Sequence, residues 1–354
     1  MAGRIQLLGL GNALVDIEFA ITEEELQQTH LRKSGMTLAD KAAQQRLLSR
    51  LLTHKRGRLS SGGSAANTIV AFAQFGGKAG YVTVLGDDEH GDYFTSDFAD
   101  LGIALHAPRL PGEATGTCIV LVTPDGERTM QTCLGVNELF NRSMFNTQWL
   151  DYTDWLYVEG YKLTNNSGAE AAVDAIFSAR KKGVFVALSL SDAFVVTACR
   201  DVVEELLPMV DLLFCNDREA SAYTGLPDSA ENFKLLLSKV PHLVFTLGPQ
   251  GSMLFVEGKY ARIPAYPTAV VDTNGAGDMY AGAFLYGMLH RWDIERAGHV
   301  AARAAARIIA QYGARYHGNY RELLEAGEDG SEASELLLGA GGETNPKDAT
   351  SSPS

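Results

Sequence analysis

The second half of the chain alternates between short apolar runs and longer amphipathic segments. The short runs have the length and composition of buried strands, and the longer segments repeat their apolar residues every three or four positions. Such alternation predicts an α/β fold with a mostly parallel central sheet covered by helices on both faces. The predicted strands are 155–158, 184–188, 212–215 and 243–247, and the predicted helices are 167–182, 194–209, 217–224, 276–290 and 294–312.

The first half begins the same pattern and is interrupted twice. Residues 17–60 are polar and charged, with a helical pattern over 39–52. In the second interruption, two β-rich runs at 118–122 and 128–133 flank Pro-Asp-Gly, which predicts a hairpin. We therefore predict a small β-rich lid beside the large domain. The predicted large domain is 1–16, 61–103 and 138–327, the lid is 17–60 and 104–137, and the tail is 328–354.

Composition adds that the chain is an ordinary globular protein with an acidic balance. Its 354 residues are 46% hydrophobic and 21% charged, and the formal net charge is −13. Nucleic-acid backbones and anionic membranes need a basic face, so we expect neither as a partner. Residues 322–354 carry eight acids and one base, hence −7, and the body carries only −6. The tail composition predicts disorder.

Cysteine usage and the first residues bear on compartment. The four cysteines are scattered without a CxxC pair, which disfavours a zinc site or redox dithiol. The amino terminus lacks the apolar region and cleavage site of a secretory signal, and no apolar run reaches about 20 residues. We expect a cytoplasmic protein with free thiols.

The strongest chemical signal is the run Val-Val-Asp-Thr-Asn-Gly-Ala-Gly-Asp at 270–278. A helix is predicted to begin there, and the first N–H groups of a helix have no internal partner and favour an anion. The amides of Gly275, Ala276 and Gly277 would thus bind phosphate. A carboxylate in that position is useful if Asp278 removes a proton from an attacking hydroxyl. The alternative is an ordinary glycine turn with an acid in the first helical turn.

Residues 272–278 resemble the C-terminal signature of the ribokinase (PfkB) family of carbohydrate and nucleoside kinases. Gly-Gly-Ser-Ala-Ala-Asn at 62–67, followed by residues 76–77 and 84–88, resembles the N-terminal motif of that family. The resemblance implies a ribokinase-like three-layer fold and ATP-dependent phosphoryl transfer with Mg²⁺, often with K⁺. Within the family, four stretches are most similar to adenosine kinases. They are 11–17, 115–118, 210–214 and 296–299.

On the nucleotide side, the resemblance implies an ATP site built without a P-loop, since no GxxxxGK[ST] occurs. Asn216 and Glu219 match N-x-x-E and would order Mg²⁺-bound water, although the same pair could be a helix capping box. Asp272 is the candidate ligand for a monovalent cation. His299 would line the adenine pocket or simply pack between helices. The remaining implied nucleotide-binding residues are Thr246, Gly248, Gly251 and Asn274.

On the acceptor side, the resemblance places sugar hydroxyls on a carboxylate at the end of the first strand, Asp16, which could accept two hydrogen bonds from vicinal hydroxyls. Cys118 and Tyr161 would border a base. Arg128 would neutralise the transferring phosphoryl group or, alternatively, be a solvated hairpin charge. The other implied substrate residues are Asn12, Gly62, Gly63 and Asn67.

A rival interpretation of residues 9–14 is a dinucleotide fingerprint, but G-x-G-x-x here lacks the third small residue of that motif. One departure bears on the identity of the acceptor. Residues 160–163 read Gly-Tyr-Lys-Leu where animal adenosine kinases carry Gly-Phe-Phe-Leu, so Lys162 replaces an aromatic ring. We expect a kinase for the primary hydroxyl of a ribonucleoside, adenosine first, and a monomer. The alternatives are a sugar kinase of the same family and a non-catalytic nucleoside-binding protein.

Overall fold

The computed structural model describes residues 3–325, and the predicted disordered tail at 328–354 lies outside them. Short 3₁₀ turns connect several of the elements. In chain order the strands and helices are β1 (Ile5–Leu10), β2 (Leu14–Ala20), α1 (Glu23–Gln27), β3 (Met36–Leu38), α2 (Lys41–Leu52), β4 (Arg58–Gly62), α3 (Ser64–Gln74), β5 (Ala79–Val82), β6 (Leu85–Gly86), α4 (Glu89–Asp100), β7 (Ala104–His106), β8 (Arg109–Leu110), β9 (Gly116–Val122), β10 (Arg128–Cys133), β11 (Thr153–Glu159), α5 (Asn166–Lys181), β12 (Phe185–Ser189), α6 (Ala193–Ala198), α7 (Arg200–Leu206), β13 (Leu212–Asn216), α8 (Asp217–Thr224), α9 (Ser229–Leu237), β14 (His242–Thr246), β15 (Ser252–Val256), β16 (Lys259–Ile263), α10 (Ala276–Leu289), α11 (Ile294–Ile308) and α12 (Tyr320–Glu325).

A nine-stranded sheet forms the centre of the large domain. Its order is β16-β15-β14-β13-β12-β11-β1-β5-β7, and every pairing from β14 to β7 is parallel. The hairpins that add β15 and β16 are antiparallel. Because the parallel strands share one direction, their carboxyl ends meet along one edge, where ligands of open α/β sheets bind. The predicted fold class is confirmed.

Helices cover both faces of this sheet and complete three layers. Neighbouring residues of one strand pack on opposite sides, so Leu7 joins one buried cluster and Leu8 the other. The first cluster includes buried residues of α3, α4, α10, α11 and α12, and the second includes those of α5, α6, α7, α8 and α9. None of the helices within residues 3–325 is both long and apolar enough to cross a membrane.

The lid is a separate five-stranded sheet with the order β3-β10-β9-β2-β4. Helices α1 and α2 cover one face through a small core that includes Ile17, Phe19 and Leu47. On the opposite face, Cys118, Val120 and Val122 pack with Met130. The predicted hairpin of β9 and β10 is present and antiparallel.

The structure moves the lid boundaries predicted from sequence. Strand β2 starts at Leu14, so Asp16 lies within a lid strand, paired with Cys118 of β9, and not at the end of the first strand as predicted. Conversely, β7 pairs with β5, so residues 104–106 belong to the large sheet. The predicted helix 194–209 is divided, because α6 ends at Ala198 and α7 begins at Arg200.

Candidate active site

The amino terminus of α10 is held in place by a glycine that no other residue could replace without strain. Gly275 has φ +74°, and a Cβ there would lie 2.8 Å from Ala314. Met279 N donates to Gly275 O at 2.8 Å, which closes the first helical turn. Of the preceding residues, Ala276 N donates a long hydrogen bond of 3.4 Å to Thr273 O, and the first N–H groups of a helix otherwise point out of its end. Asp278 lies on this first turn, as predicted.

A second helix begins at the same place. Gly63, with φ +107°, precedes α3, whose first residue Ser64 donates its hydroxyl to Asp278 Oδ1 at 2.7 Å. One turn later, Asn67 Nδ2 lies 3.3 Å from Asp278 Oδ2. The two helices can approach because Gly282 of α10 has no side chain; a Cβ there would lie 2.6 Å from the carbonyl oxygen of Thr68. Two helix amino termini therefore flank one carboxylate.

The environment of Asp278 prepares it to accept a proton near neutral pH. Burial raises the pKa of Asp278 to about 6, while the hydrogen bonds from Ser64 and Asn67 favour the ionised form. A base with such a pKa is largely ionised at pH 7 and still basic enough to take a proton from a hydroxyl during transfer. Ser64 belongs to the motif at 62–67, but its contact with Asp278 was not predicted.

Asp278 opens onto a cavity of about 740 Å³ between the large domain and the lid. The structure brings most of the predicted site residues to its wall. Gly62, Gly248, Gly251 and His299 do not line it. Those that line it are Asn12, Asp16, Gly63, Asn67, Cys118, Arg128, Tyr161, Asn216, Glu219, Thr246, Asp272, Asn274, Gly275, Ala276, Gly277 and Asp278.

The cavity contains a second carboxylate, that of Asp16. Burial raises the pKa of Asp16 to about 7, and the positive charges of Arg315 and Arg128 oppose the shift. Gly62 packs directly against it, since a Cβ there would lie 2.6 Å from Asp16 Oδ2. Gly62 thus contributes by leaving room for Asp16 and not by lining the cavity.

The lid presents an apolar wall to the same cavity. The side chains that form it come from β2, β3, β9, β10 and the turn that follows β10. They are Leu14, Met36, Leu38, Cys118, Met130 and Leu134. Burial raises the pKa of the Cys118 thiol far above its ordinary value, so this cysteine is a neutral, apolar contact. Tyr161 reaches the cavity but is tilted against Phe194, with ring centroids 6.1 Å apart.

Arg128 is buried between two carboxylates. Its Nη2 lies 2.8 Å from Glu18 Oε2, and its Nε lies 2.7 Å from Asp272 Oδ2. Since only 9% of Arg128 is exposed, the interpretation as a solvated hairpin charge is wrong. Asp272 also accepts hydrogen bonds from Asn274 N at 3.0 Å and Gly313 N at 2.9 Å.

These contacts bear on the predicted cation site. Both carboxylate oxygens of Asp272 already have donors, and a guanidinium occupies the position next to Oδ2. No cluster of three or more His, Cys, Asp or Glu side chains suited to a metal ion occurs among residues 3–325. A carboxylate oxygen can accept more than one contact, so the role of the Asp272 side chain as a ligand of a monovalent cation stays a prediction.

Asn216 and Glu219 form the helix capping box that was one of their two interpretations, and their role toward Mg²⁺ stays a prediction. They form a capping box at the start of α8, with Asn216 Oδ1 accepting from Glu219 N at 2.9 Å and Glu219 Oε2 accepting from Asn216 N at 3.0 Å. The same pair lines the cavity. Burial raises the pKa of Glu219 to about 7. A hard carboxylate oxygen beside the cavity suits water bound to Mg²⁺, although its oxygens are already engaged by Asn216.

Two predicted nucleotide contacts have other partners. His299 Nδ1 lies 2.9 Å from the hydroxyl of Tyr266. Gly251 ends the turn between β14 and β15, where a Cβ would lie 2.0 Å from the carbonyl oxygen of Ile263. Packing explains both positions, and their roles as nucleotide contacts stay predictions.

Comparison with known proteins places the chain in a family. Residues 36–319 match the pfkB family carbohydrate kinase. The chain belongs to this family. Adenosine kinase 1 of Arabidopsis thaliana is 26% identical over 334 residues, covering 88% of this chain and 95% of that protein.

Solved structures of pfkB kinases agree in fold. Adenosine kinase from Sinorhizobium meliloti is 31% identical, with a TM-score of 0.84 and coverage of 92% of this chain and 99% of that one. A probable sugar kinase protein from Rhizobium etli CFN 42 is 29% identical, with a TM-score of 0.84 and coverage of 95% and 99%. As a member of the pfkB family the chain is a phosphotransferase, which makes a non-catalytic nucleoside-binding protein the wrong alternative.

Proposed function

We propose that the chain transfers the γ-phosphoryl group of ATP to the primary 5′-hydroxyl of a ribonucleoside, with adenosine as the first candidate. The observation that carries the proposal is the position of Asp278. It lies at the start of α10, where the amides of Gly275, Ala276 and Gly277 favour an anion, and it opens onto a cavity bordered by Asp16.

In this mechanism Asp278 takes the proton of the attacking hydroxyl. The Asp278 carboxylate is itself held in place by Ser64 and Asn67. The amides at the start of α10 stabilise the negative charge on the transferring phosphoryl group. Mg²⁺, when bound to ATP, would neutralise phosphate charge, and its water molecules would be ordered by Asn216 and Glu219. Thr246 and Asn274 border the cavity on the nucleotide side.

The lid supports a nucleoside as acceptor. A free sugar offers little apolar surface, whereas a base is a flat group that gains from burial against apolar side chains. Leu14, Cys118, Met130 and Leu134 supply such a surface within the cavity. The similar protein from Sinorhizobium meliloti is an adenosine kinase, which agrees with this choice.

A sugar kinase is the second candidate, and a specific observation favours it. Lys162 replaces the aromatic residue of animal adenosine kinases and is fully buried behind Asn12, so the base loses one expected ring. The Rhizobium relative is named a probable sugar kinase. Both candidates share Asp278 and the transfer chemistry.

One experiment separates the candidates. ATP consumption is measured with the full-length protein against a panel containing adenosine, other ribonucleosides, ribose and fructose. We expect turnover with adenosine and little with free sugars, and no turnover with Asp278→Asn. Phosphorylation of a sugar with none of any nucleoside would establish the second candidate instead.

A further inference from the structure

All but one of the polar groups of Asn12 have a hydrogen-bond partner among the described residues. Its N–H donates to Glu159 Oε1 at 2.6 Å, and its carbonyl oxygen accepts from the Tyr81 hydroxyl at 2.9 Å. Its side-chain Oδ1 accepts from Lys162 Nζ at 3.1 Å. Within residues 3–325, Nδ2 has no hydrogen-bond partner, and Asn12 lines the cavity. One amide donor therefore remains available to a ligand.

The group that holds Oδ1 is an unusual one. Lys162 is 0% exposed, and its Nζ lies over the ring of Phe140, 4.0 Å from the centroid. Burying an ammonium is costly, and an apolar side chain would pack against Phe140 without that cost. The buried carboxylate of Glu159 compensates part of it: burial lowers the pKa of Lys162 and raises that of Glu159, and their mutual attraction opposes both shifts.

Glu159 and Lys162 come from the end of β11 and the turn after it, and they hold Asn12 at two points. Glu159 also accepts from Ala65 N at 2.7 Å, which ties the start of α3 to the same carboxylate. Packing alone does not require this arrangement. The buried pair of Glu159 and Lys162 has a function if ligand binding needs one orientation of the Asn12 amide.

An ammonium donates hydrogen bonds and accepts none, so it selects the oxygen of the Asn12 amide. With Oδ1 fixed on Lys162, Nδ2 is the atom left for the cavity. We propose that Lys162 is a positioning residue, which holds the Asn12 amide so that Nδ2 donates to a hydroxyl oxygen on the sugar of the acceptor. This inference rests on the proposed function, because it assumes an acceptor with sugar hydroxyls.

The arrangement complements Asp16 across the cavity. An ionised carboxylate only accepts hydrogen bonds, so it binds the hydrogen of a hydroxyl, whereas Nδ2 binds an oxygen. Together, an acceptor and a donor recognise sugar hydroxyls in one orientation. A site built to hydrogen-bond a hydroxyl discriminates strongly against an analogue that lacks it, since the polar groups of the site are then left unpaired.

The test compares adenosine with 2′-deoxyadenosine and 3′-deoxyadenosine in wild type, Lys162→Met and Asn12→Ala. Methionine has a similar length and packs against aromatic rings but donates no hydrogen bond. We expect wild type to prefer adenosine over at least one analogue by tenfold or more in kcat/KM, in line with the loss of a specific hydrogen bond. In Lys162→Met that preference should fall to about threefold or less.

The same variant should raise the KM for adenosine about tenfold while the KM for ATP and kcat change by less than about threefold. Adding Lys162→Met to Asn12→Ala should cause no further loss of the preference. Lys239→Met, which removes a partly exposed lysine on the surface, is the matched control and should behave as wild type. A second variant, Glu159→Gln with Lys162→Met, replaces the whole ionic pair and avoids an uncompensated buried carboxylate.

Three results would overturn the inference. One is a wild type that uses adenosine and both deoxy analogues equally well. Another is a Lys162→Met variant that keeps its preference for the hydroxyl. The third is a uniform loss in kcat and both KM values with the preference unchanged, which indicates a structural role. If wild type phosphorylates no nucleoside, the proposed acceptor is wrong. The comparison is then made with ribose and 2-deoxyribose, and the kcat/KM preference for ribose should again be lost in Lys162→Met.

Discussion

The Nε atom of Arg128 lies 2.7 Å from Oδ2 of Asp272, which joins a lid strand to the loop that precedes α10. The contact is an ion pair and not an aligned hydrogen bond, since the Nε hydrogen has no acceptor in bonding geometry among the described residues. Nearby, a Cβ on Gly126 would lie 2.8 Å from the carbonyl oxygen of Val271. The turn of this lid hairpin and the first residue of β10 therefore both lie against the loop that precedes α10.

Arg128→Ala should lower stability and turnover together. It leaves the buried carboxylate of Asp272 and the partly buried carboxylate of Glu18 without their cation, and breaking a buried ion pair costs about 3–5 kcal/mol. We expect a lower thermal midpoint and a fall in kcat of at least tenfold, because the lid loses its attachment to the loop. Arg142→Ala removes an exposed pair with Glu170 and Asp174 and should cost less than about 1 kcal/mol. Equal losses of stability and turnover in Arg128→Ala and Arg142→Ala would contradict the role of Arg128 in attaching the lid to the loop before α10.

Gly277 and Gly275 should respond differently to alanine. Nothing lies within 4 Å of a Cβ on Gly277, so Gly277→Ala should fold normally and could gain up to about 1 kcal/mol of helix propensity. Its methyl group would nevertheless stand at the amides that we propose to bind the phosphoryl group, and we expect kcat/KM for ATP to fall at least tenfold. Gly275→Ala should lose stability as well, because φ +74° and Ala314 both disfavour a side chain. Unchanged ATP kinetics in Gly277→Ala would refute the anion-binding role.

The variant Glu219→Gln distinguishes the role of Glu219 in capping α8 from its proposed role in ordering Mg²⁺-bound water. Glutamine at this position preserves a capping box, so the start of α8 should remain folded. If the carboxylate orders Mg²⁺-bound water, the Mg²⁺ concentration for half-maximal activity should rise about tenfold, roughly the effect of losing one outer contact to a metal. Thr22 and Glu25 form a second capping box in the lid, and Glu25→Gln is the matched control with unchanged Mg²⁺ dependence.

The elements that local signals determine were predictable, and the contacts between distant segments were not. The glycine-rich starts of α3 and α10 could be identified because residues around 62–64 and 275–278 carry the turn and cap chemistry within a few positions. The hairpin of β15 and β16 was not predicted. Glu257 and Gly258 both have positive φ, as a two-residue hairpin turn requires, but only Gly258 is a residue typical of that turn in a sequence.

Other features depend on tertiary structure alone. The placement of Asp16 in a lid strand follows from its pairing with β9, about a hundred residues away. The ion pair of Arg128 with Asp272 and the contact of Lys162 with Asn12 each join segments more than 140 residues apart. No local pattern encodes such contacts, so sequence reasoning could name these residues but not their partners.

Activity should decline as the pH falls through the pKa of the base. Asp278 must be ionised to accept a proton, and burial raises its pKa to about 6, while that of Asp16 is raised to about 7. We therefore expect kcat/KM for the acceptor to fall on the acid side between about pH 7 and pH 6, where ordinary carboxylates with a pKa near 4 would still be ionised. The measurement is a pH profile at saturating ATP. A profile that is flat down to pH 5 would exclude the proposed base.

Asp278→Asn should lower the activity of the protein and raise its stability. Without the carboxylate the acceptor hydroxyl keeps its proton, and we expect kcat to fall by about 10²–10⁴, with binding of adenosine and ATP retained. The pKa of Asp278 is raised in the folded protein, so the carboxyl favours folding fully at pH values below its unfolded pKa of 3.8, and this contribution is lost as the pH rises through about 6.

Removing the charge should therefore stabilise the free protein by about 1–3 kcal/mol at pH 8, for a shift of about two pKa units. The gain should shrink at pH 5, where Asp278 of the wild type is largely protonated. Thermal unfolding of both proteins at the two pH values tests this, and Asp154→Asn, at the surface pair with Arg4, is the control. A variant that is inactive and less stable than wild type at pH 8 would show that Asp278 has a structural role. An inactive variant with a pH-dependent gain in stability would show that the carboxylate serves catalysis and lowers the stability of the folded protein.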